Sequence, residues 1–220
     1  MMAAVDQNNP SHQVELVFLA AWFHLNMREY ERAEALAARA VELSEQHPFT
    51  NYADVARFFL GAARAHLGRA TDGIALLREG GAGMLRSGVR VPNGFYLALL
   101  AEAHNREGDT LAALETIDQA LEPSTVYRPE VLRIRGELRA KQGQIELAEN
   151  DLRDAIALAQ KMSAKSWELR TTMSLARLLR DKGGRDQARA MLAEIYNWFT
   201  EGFDTADLKE AKALLDELRV

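Results

Sequence analysis

Small residues recur through this chain in three parallel series, and a chain with such a register has few ways to fold. The first series is Ala21, Gly61, Ala101, Gly136 and Ala176, separated by 40, 40, 35 and 40 residues. A second, Ala33, Gly73, Ala113, Ala148 and Ala188, follows 12 residues behind the first. A third, small in four of its five members (Ala40, Gly80, Ala120 and Ala155, with Ile195 as the fifth), follows seven residues behind the second. Self-similarity at a period of this length marks stacked supersecondary units that cannot bury their apolar faces alone. Small residues let neighbouring helices approach while larger side chains fill the gaps.

The unit at 129–162 shows the pattern most clearly. Leu132 and Leu138 flank Gly136 on its first arm, and Ile145, Ala148, Leu152 and Ala155 form a stripe at helical spacing on its second. Lys141-Gln142-Gly143 joins the arms, with the glycine where the first helix must stop. Five hairpins follow from the register, at about 10–48, 50–88, 93–122, 129–162 and 164–199, with a last helix at 204–219, all in one repeat domain over 1–220. Asn9-Pro10 reads as the first cap, and Asp109 as the cap of the second helix of unit three. In the last helix Asp204 suits the N-cap, Asp207 adds a carboxylate to the first turn, and Phe203 can staple to Leu208. The polar face of that helix marks it as the cap of the array. Gly81 and Gly83 have no place in the small-residue register, so a frayed or kinked helix end is expected there. The 35-residue step falls at 122–129, the expected place for a change of geometry and the first choice for a partner or ligand.

Composition narrows the function classes. The chain has 220 residues, 48% hydrophobic and 27% charged, and its Ala, Leu, Glu and Arg richness favours helix. Zero cysteines exclude disulfides and thiol catalysis. The apolar run at 16–23 is far short of a bilayer span and ends at His24, so no membrane segment is expected. The opening MMAAVDQNNP lacks a basic n-region, which makes a cytoplasmic location the expectation. A formal net charge of −5 argues against nucleic acid as the partner.

Tyr30, Ala33 and Ala40 in EYERAEALAARAVEL, with Leu60-Gly61 and Gly68, resemble the tetratricopeptide (TPR) repeat. The period here is mostly longer than the usual 34, which implies longer helices. The resemblance implies an all-α, right-handed superhelix of five TPR-like hairpins plus a C-terminal capping helix, about 11 helices in all. Further stretches are similar to one bacterial group: GIALLREG (73–80), FYLALLAEA (95–103), RGEL (135–138), AKSWELR (164–170), SLAR (174–177) and WFTEGFDTADLKEA (198–211). Together they resemble the C-terminal repeat region of large signalling proteins. In these a nucleotide-cyclase or transcription-regulator domain precedes a signal-transducing ATPase module. The activities do not carry over, since the chain has no G-x-x-x-x-G-K-[ST] loop. The resemblance implies either a part of a longer chain or a free-standing sensor region.

In such arrays the first helices line a concave surface. Counting faces from the small residues places Trp22, Asn26, Glu102, Asn105, Arg106, Arg133, Glu137, Lys141, Arg170, Arg177 and Arg180 near that groove. Residues 128–185 carry 13 basic against 8 acidic side chains, between acidic flanks. Arg133, Arg170 and Arg177 therefore offer planar guanidinium groups to an acidic peptide, a neighbouring domain or an anionic ligand. The competing use of these arginines is pairing with Glu137 and Glu168 inside the repeats. Phe18 and Trp22 stand where a carboxylate clamp would need a lysine and an asparagine.

The five histidines (His12, His24, His47, His66, His104) fall in different units without an i, i+4 pair, so they read as core or rim packing with no metal. No nucleophile-base pattern is visible, and no cofactor is called for. Trp198-Phe199 reads as core, with an exposed edge for a homodimer or domain docking as the other use. The expectation is a non-enzymatic protein-interaction or scaffold module of a bacterial regulatory protein, binding a peptide or partner domain. The alternative is a small-molecule-sensing domain controlling a fused or partner cyclase, ATPase or transcription regulator.

Overall fold

The computed structural model describes residues 10–46, 50–88, 93–121 and 126–219. Eleven α-helices and no strands occur among them. In chain order they are α1 (Pro10–Asn26), α2 (Tyr30–Glu45), α3 (Thr50–His66), α4 (Ala70–Arg86), α5 (Asn93–Glu107) and α6 (Thr110–Asp118). Then come α7 (Arg128–Lys141), α8 (Ile145–Lys161), α9 (Lys165–Asp181), α10 (Arg185–Tyr196) and α11 (Ala206–Glu217). The all-helical class stands. No described helix is long and apolar enough to cross a membrane. The chain divides into two compact units, Met1–Pro92 with Glu102–Gly108, and Asn93–Ala101 with Asp109–Val220.

In the first unit α3 packs on α2 and α4, and α1 on α2 and α3. The core is largely alanine (Ala21, Ala33, Ala37, Ala40, Ala56, Ala63), with Phe58 and Leu77 as its large fillers. Residues this small let backbones approach closely. A Cβ on Gly61 would lie 2.7 Å from the Gly73 carbonyl oxygen, and one on Gly80 would lie 2.6 Å from that of Asp54. Gly73 and Gly80 thus belong to the α3–α4 seam. The expected fraying at Gly81 to Gly83 is not found: α4 runs unbroken to Arg86 and closes at Ser87, whose N–H donates to the Gly83 carbonyl. Gly83 is buried in that seam, and a Cβ there would overlap the Asp54 carboxylate.

In the second unit the first turns of α5 join α6 and α7 around Leu97, Ala101, Ala113, Ile117, Val131 and Leu138. A separate apolar cluster gathers α8 to α11 around Leu152, Leu169, Met173, Leu175, Leu192 and Leu214. Asp109 caps α6 as expected, accepting from the Ala112 N–H at 2.9 Å. The 35-residue step has a physical form here. Helix α6 is 9 residues long where α8 has 17, and the segment that follows runs partly outside the described residues (122–125). Asn9, which reads as the first cap, also lies outside them.

The start of α11 corrects the expectation. Its N-cap is Thr205, in extended conformation, rather than Asp204, and the Thr205 hydroxyl donates back to the Gly202 carbonyl at 2.7 Å. Phe203 remains half-exposed against Tyr196. Leu208, Ala211, Leu214 and Leu215 bury the apolar face of α11.

Candidate functional site

The residues assigned to a groove fall into two groups, one in each unit. In the first unit Trp22 and Asn26 lie one turn apart near the end of α1, where the Asn26 side-chain amide donates to the Trp22 carbonyl at 2.8 Å. Glu102, Asn105 and Arg106 sit on the last turns of α5. Glu102 approaches His66 Nε2 at 3.6 Å. The His66 ring lies flat on Tyr30, the first residue of α2, with centroids 4.0 Å apart and 7° between planes. Burial pushes the Tyr30 hydroxyl above its ordinary pKa and the Glu102 charge adds to this, while Arg28 and Arg106 pull the other way. One face therefore gathers a phenol, an imidazole, a carboxylate and two guanidinium groups from α2, α3, α5 and the α1–α2 turn.

Composition and spacing point to Glu102 and Arg106 but not to the Tyr30–His66 stack. The packing role expected of His66 fits its largely buried side chain, and its ring supports Tyr30 from beneath. The sequence offers one signal: Tyr30 opens its second helix, so it faces the end of the next first helix, where His66 stands. His104 is buried and lies 3.3 Å from the Arg78 guanidinium through Nε2. His24 lies at the rim, part-exposed, and bonds Glu29 at 2.7 Å. Phe18 packs on Tyr52 with centroids 5.6 Å apart, so that of Phe18 and Trp22 the latter is the more exposed.

In the second unit the arginines are committed to carboxylates. Arg133, buried on α7, bonds Glu130 and Glu137, each at 2.7 Å at its closest. Glu137 also accepts from the Ser174 hydroxyl of α9. Arg170 pairs with Asp207 at 2.8 Å, Arg177 with Glu210 at 2.6 Å, and Arg180 with Glu217 at 3.2 Å and with Asp181 at 3.0 Å. The α9 arginines thus meet a row of acids on α11. Glu168, expected as an internal partner for them, instead accepts from Lys165 and Gln160. Lys141 ends α7 in an exposed position.

Two more arrangements hold this unit together. Asp151 is buried on α8 and receives Arg135 at 2.6 Å and Arg139 at 2.7 Å from α7, and Arg135 also reaches Asp118 at the end of α6. Burial would lower the Arg135 pKa, but the bonds to Asp151 and Asp118 outweigh it and raise it. Phe95, Tyr127 and Trp167 form a ladder across the starts of α5, α7 and α9, with centroids 4.7 and 5.8 Å apart. Trp198 is exposed, edge-on to Phe199, with the Lys165 ammonium 5.5 Å from its ring centre. Among the described residues no three His, Asp or Glu side chains converge as a metal site.

No protein-family model and no curated protein matches the sequence. Solved structures do resemble it. A thermophilic TPR protein of Thermus thermophilus superposes with a TM-score of 0.67 at 19% identity, over 94% of this chain and all of that one (100%). The apo form of the quorum sensor NprR from B. thuringiensis gives 0.67 at 15% identity, over 95% of this chain and 60% of that one. The Rap conjugation gene regulator of the plasmid pLS20, solved in complex with a Phr peptide, gives 0.65 at 14% identity, over 98% and 65%. At these identities the likeness is one of fold: the chain is built of tetratricopeptide-like helical hairpins.

Proposed function

We propose that this chain is a non-catalytic interaction module that binds a short peptide or a partner's exposed segment on the face of its first unit that gathers Tyr30, Glu102 and Arg106. The observation that carries the reading is the Tyr30–His66 stack beside Glu102, with Arg106 exposed next to it. The stack fixes the part-exposed Tyr30 beside charges of both signs, Glu102 and Arg106, and an aromatic side chain flanked by such charges suits a peptide. The peptide-bound Rap regulator supports the same reading from a shared fold.

The arginines of the second unit play a different part in this proposal. Arg170, Arg177 and Arg180 hold α11 in place, so a preference for acidic partners draws on Arg106 instead. The partner is protein rather than nucleic acid, given the acidic net charge. The second reading, a sensor region acting on a fused or partner cyclase, ATPase or transcription regulator, is favoured by the resemblance of AKSWELR and WFTEGFDTADLKEA to such proteins.

Panning a phage-displayed random peptide library on the wild-type protein alone, then measuring each enriched peptide on a folded Tyr30→Ala, Glu102→Ala variant, tests the proposal. Enriched peptides that bind wild type and lose at least tenfold on the variant are the expected result, equivalent to about 1.4 kcal/mol. Enriched peptides that bind both proteins equally would place the site elsewhere.

A further inference from the structure

Helix α1 is apolar nearly all the way round: of its 17 residues only Glu15 is an Asp, Glu, Lys or Arg. Val14, Ala21 and Leu25 point into the first unit and are buried. On the outer side Leu16, Leu19 and Phe23 stand 61%, 43% and 57% exposed, with Trp22 at the edge at 38%. Their spacing of i, i+3 and i+7 makes them one stripe. A helix apolar on every face is ordinarily covered on every face. The last helix behaves differently, since α11 turns Lys209, Lys212 and Asp216 outward, as a terminal repeat helix should.

We infer that this stripe is a homodimer interface in which the α1 helices of two copies pack antiparallel about a twofold axis near Leu19. A twofold contact must be self-complementary, with each residue facing its counterpart's partner. The stripe meets that condition because its aliphatic end (Leu16) and aromatic end (Phe23) are exchanged by antiparallel packing. With the axis between Leu19 and Ala20, Phe23 of one copy faces Leu16 of the other, and Leu19 lies within about one residue's rise of its own twin. Charge favours the same arrangement. Two copies of a chain with a net charge of −5 repel over most of their surface, whereas this stripe is neutral. The antiparallel register also carries the two Glu15 carboxylates to opposite ends of the contact.

Area sets the strength. The four side chains expose on the order of 400 Å² of apolar surface per copy, the size at which a patch on a monomer marks an interaction site. Doubled, and with flanking residues such as Gln13 and Ala20 included, the contact reaches only the lower end of specific interfaces, at about 1,000–1,200 Å². A dimer that dissociates in the micromolar range follows. Trp198 is the weaker candidate for self-association, because the Lys165 ammonium sits over its ring.

Light scattering coupled to size exclusion, from about 1 to about 300 µM protein, reads the equilibrium directly. Wild type should move from the 24.6 kDa chain mass toward twice that value. Leu16→Glu with Phe23→Glu should weaken dimerisation at least tenfold, and Trp198→Ala should leave it unchanged. The register has its own test, because the chain contains no cysteine. A single Leu19→Cys should form a cross-linked dimer on mild oxidation much faster than a single Leu16→Cys, and this variant keeps an uncharged helix should the Glu variant fail to fold. A wild type that stays monomeric at every concentration would overturn the proposal and give the stripe to another segment or protein. Equal cross-linking at positions 16 and 19 would overturn the antiparallel register.

Discussion

Arg28 stands where the other four hairpins have glycine. Gly68, Gly108, Gly143 and Gly183 each lie seven residues after the small residue of their first helix, with φ of 82°, 96°, 74° and 87°. Arg28 adopts φ of 63° at the same place. A side chain in the left-handed region costs roughly 1–2 kcal/mol, a cost glycine avoids. Arg28→Gly should therefore raise stability by up to about 1 kcal/mol, the gain being trimmed by unfolded-state entropy and by loss of the Arg28 interaction with Tyr30. For a chain of this size that is about 2–4 °C in Tm. A drop in Tm would show that the Tyr30 contact outweighs the strained turn. The turn glycines are legible in the sequence because each sits at a fixed offset from a packing position. The close-approach glycines of α4 are not. Gly83 looks like a helix breaker, and only the Asp54 carboxylate of α3, 29 positions away, shows why no larger residue fits. Gly83→Ala should cost about 1–3 kcal/mol by overpacking. An unchanged denaturation midpoint would show that Asp54 swings clear.

At the level of elements, the charge pattern is legible but its partners are not. The basic stretch and its acidic flanks stand out in the sequence, and face counting alone assigns the arginines to a groove. Their partners Asp207, Glu210 and Glu217 lie 33–37 positions further on, at distances that no helical periodicity can signal. With Arg170 and Asp207 both largely buried, Arg170→Ala should destabilise the protein by about 1–3 kcal/mol, because it takes a cationic partner from a carboxylate in a low-dielectric site. Asp207→Ala should cost no more again when Arg170 is already gone, and denaturant midpoints around that double-mutant cycle measure the coupling. Full additivity of the two changes would show that the ion pair does not hold α11 on α9.

Ion pairs between elements also set the acid limit. Glu34 is held below the ordinary carboxylate value because Arg69 donates to it, burial opposing and Arg64 adding. Glu149 is lowered likewise by Lys182 and then Arg153. Carboxylates depressed in the folded state contribute stability that is complete above about pH 4.5, the ordinary value, and disappears as pH falls through their folded values. Guanidinium midpoints should be flat from pH 7 to about pH 5 and then fall. Glu34→Gln with Glu149→Gln should begin lower at pH 7 and converge on wild type by about pH 3. Parallel curves for the two proteins would assign the acid sensitivity to other carboxylates.

For the whole molecule, the repeat register carries the fold, since it specifies five hairpins and a final helix from spacing alone. It cannot carry the site, because a binding face joins side chains from different repeats. Tyr30, His66 and Glu102 come from three hairpins and meet only in the folded first unit. The central claim is that this face binds while the arginines of α9 support structure. Its most direct test is the dissociation constant of one library-selected peptide, measured by fluorescence anisotropy on three folded proteins. Wild type and Arg170→Ala, Arg177→Ala should bind within about twofold of each other, whereas Tyr30→Ala, Glu102→Ala should bind at least tenfold more weakly. Loss of binding on the arginine variant, with the Tyr30 and Glu102 variant unaffected, would contradict the account.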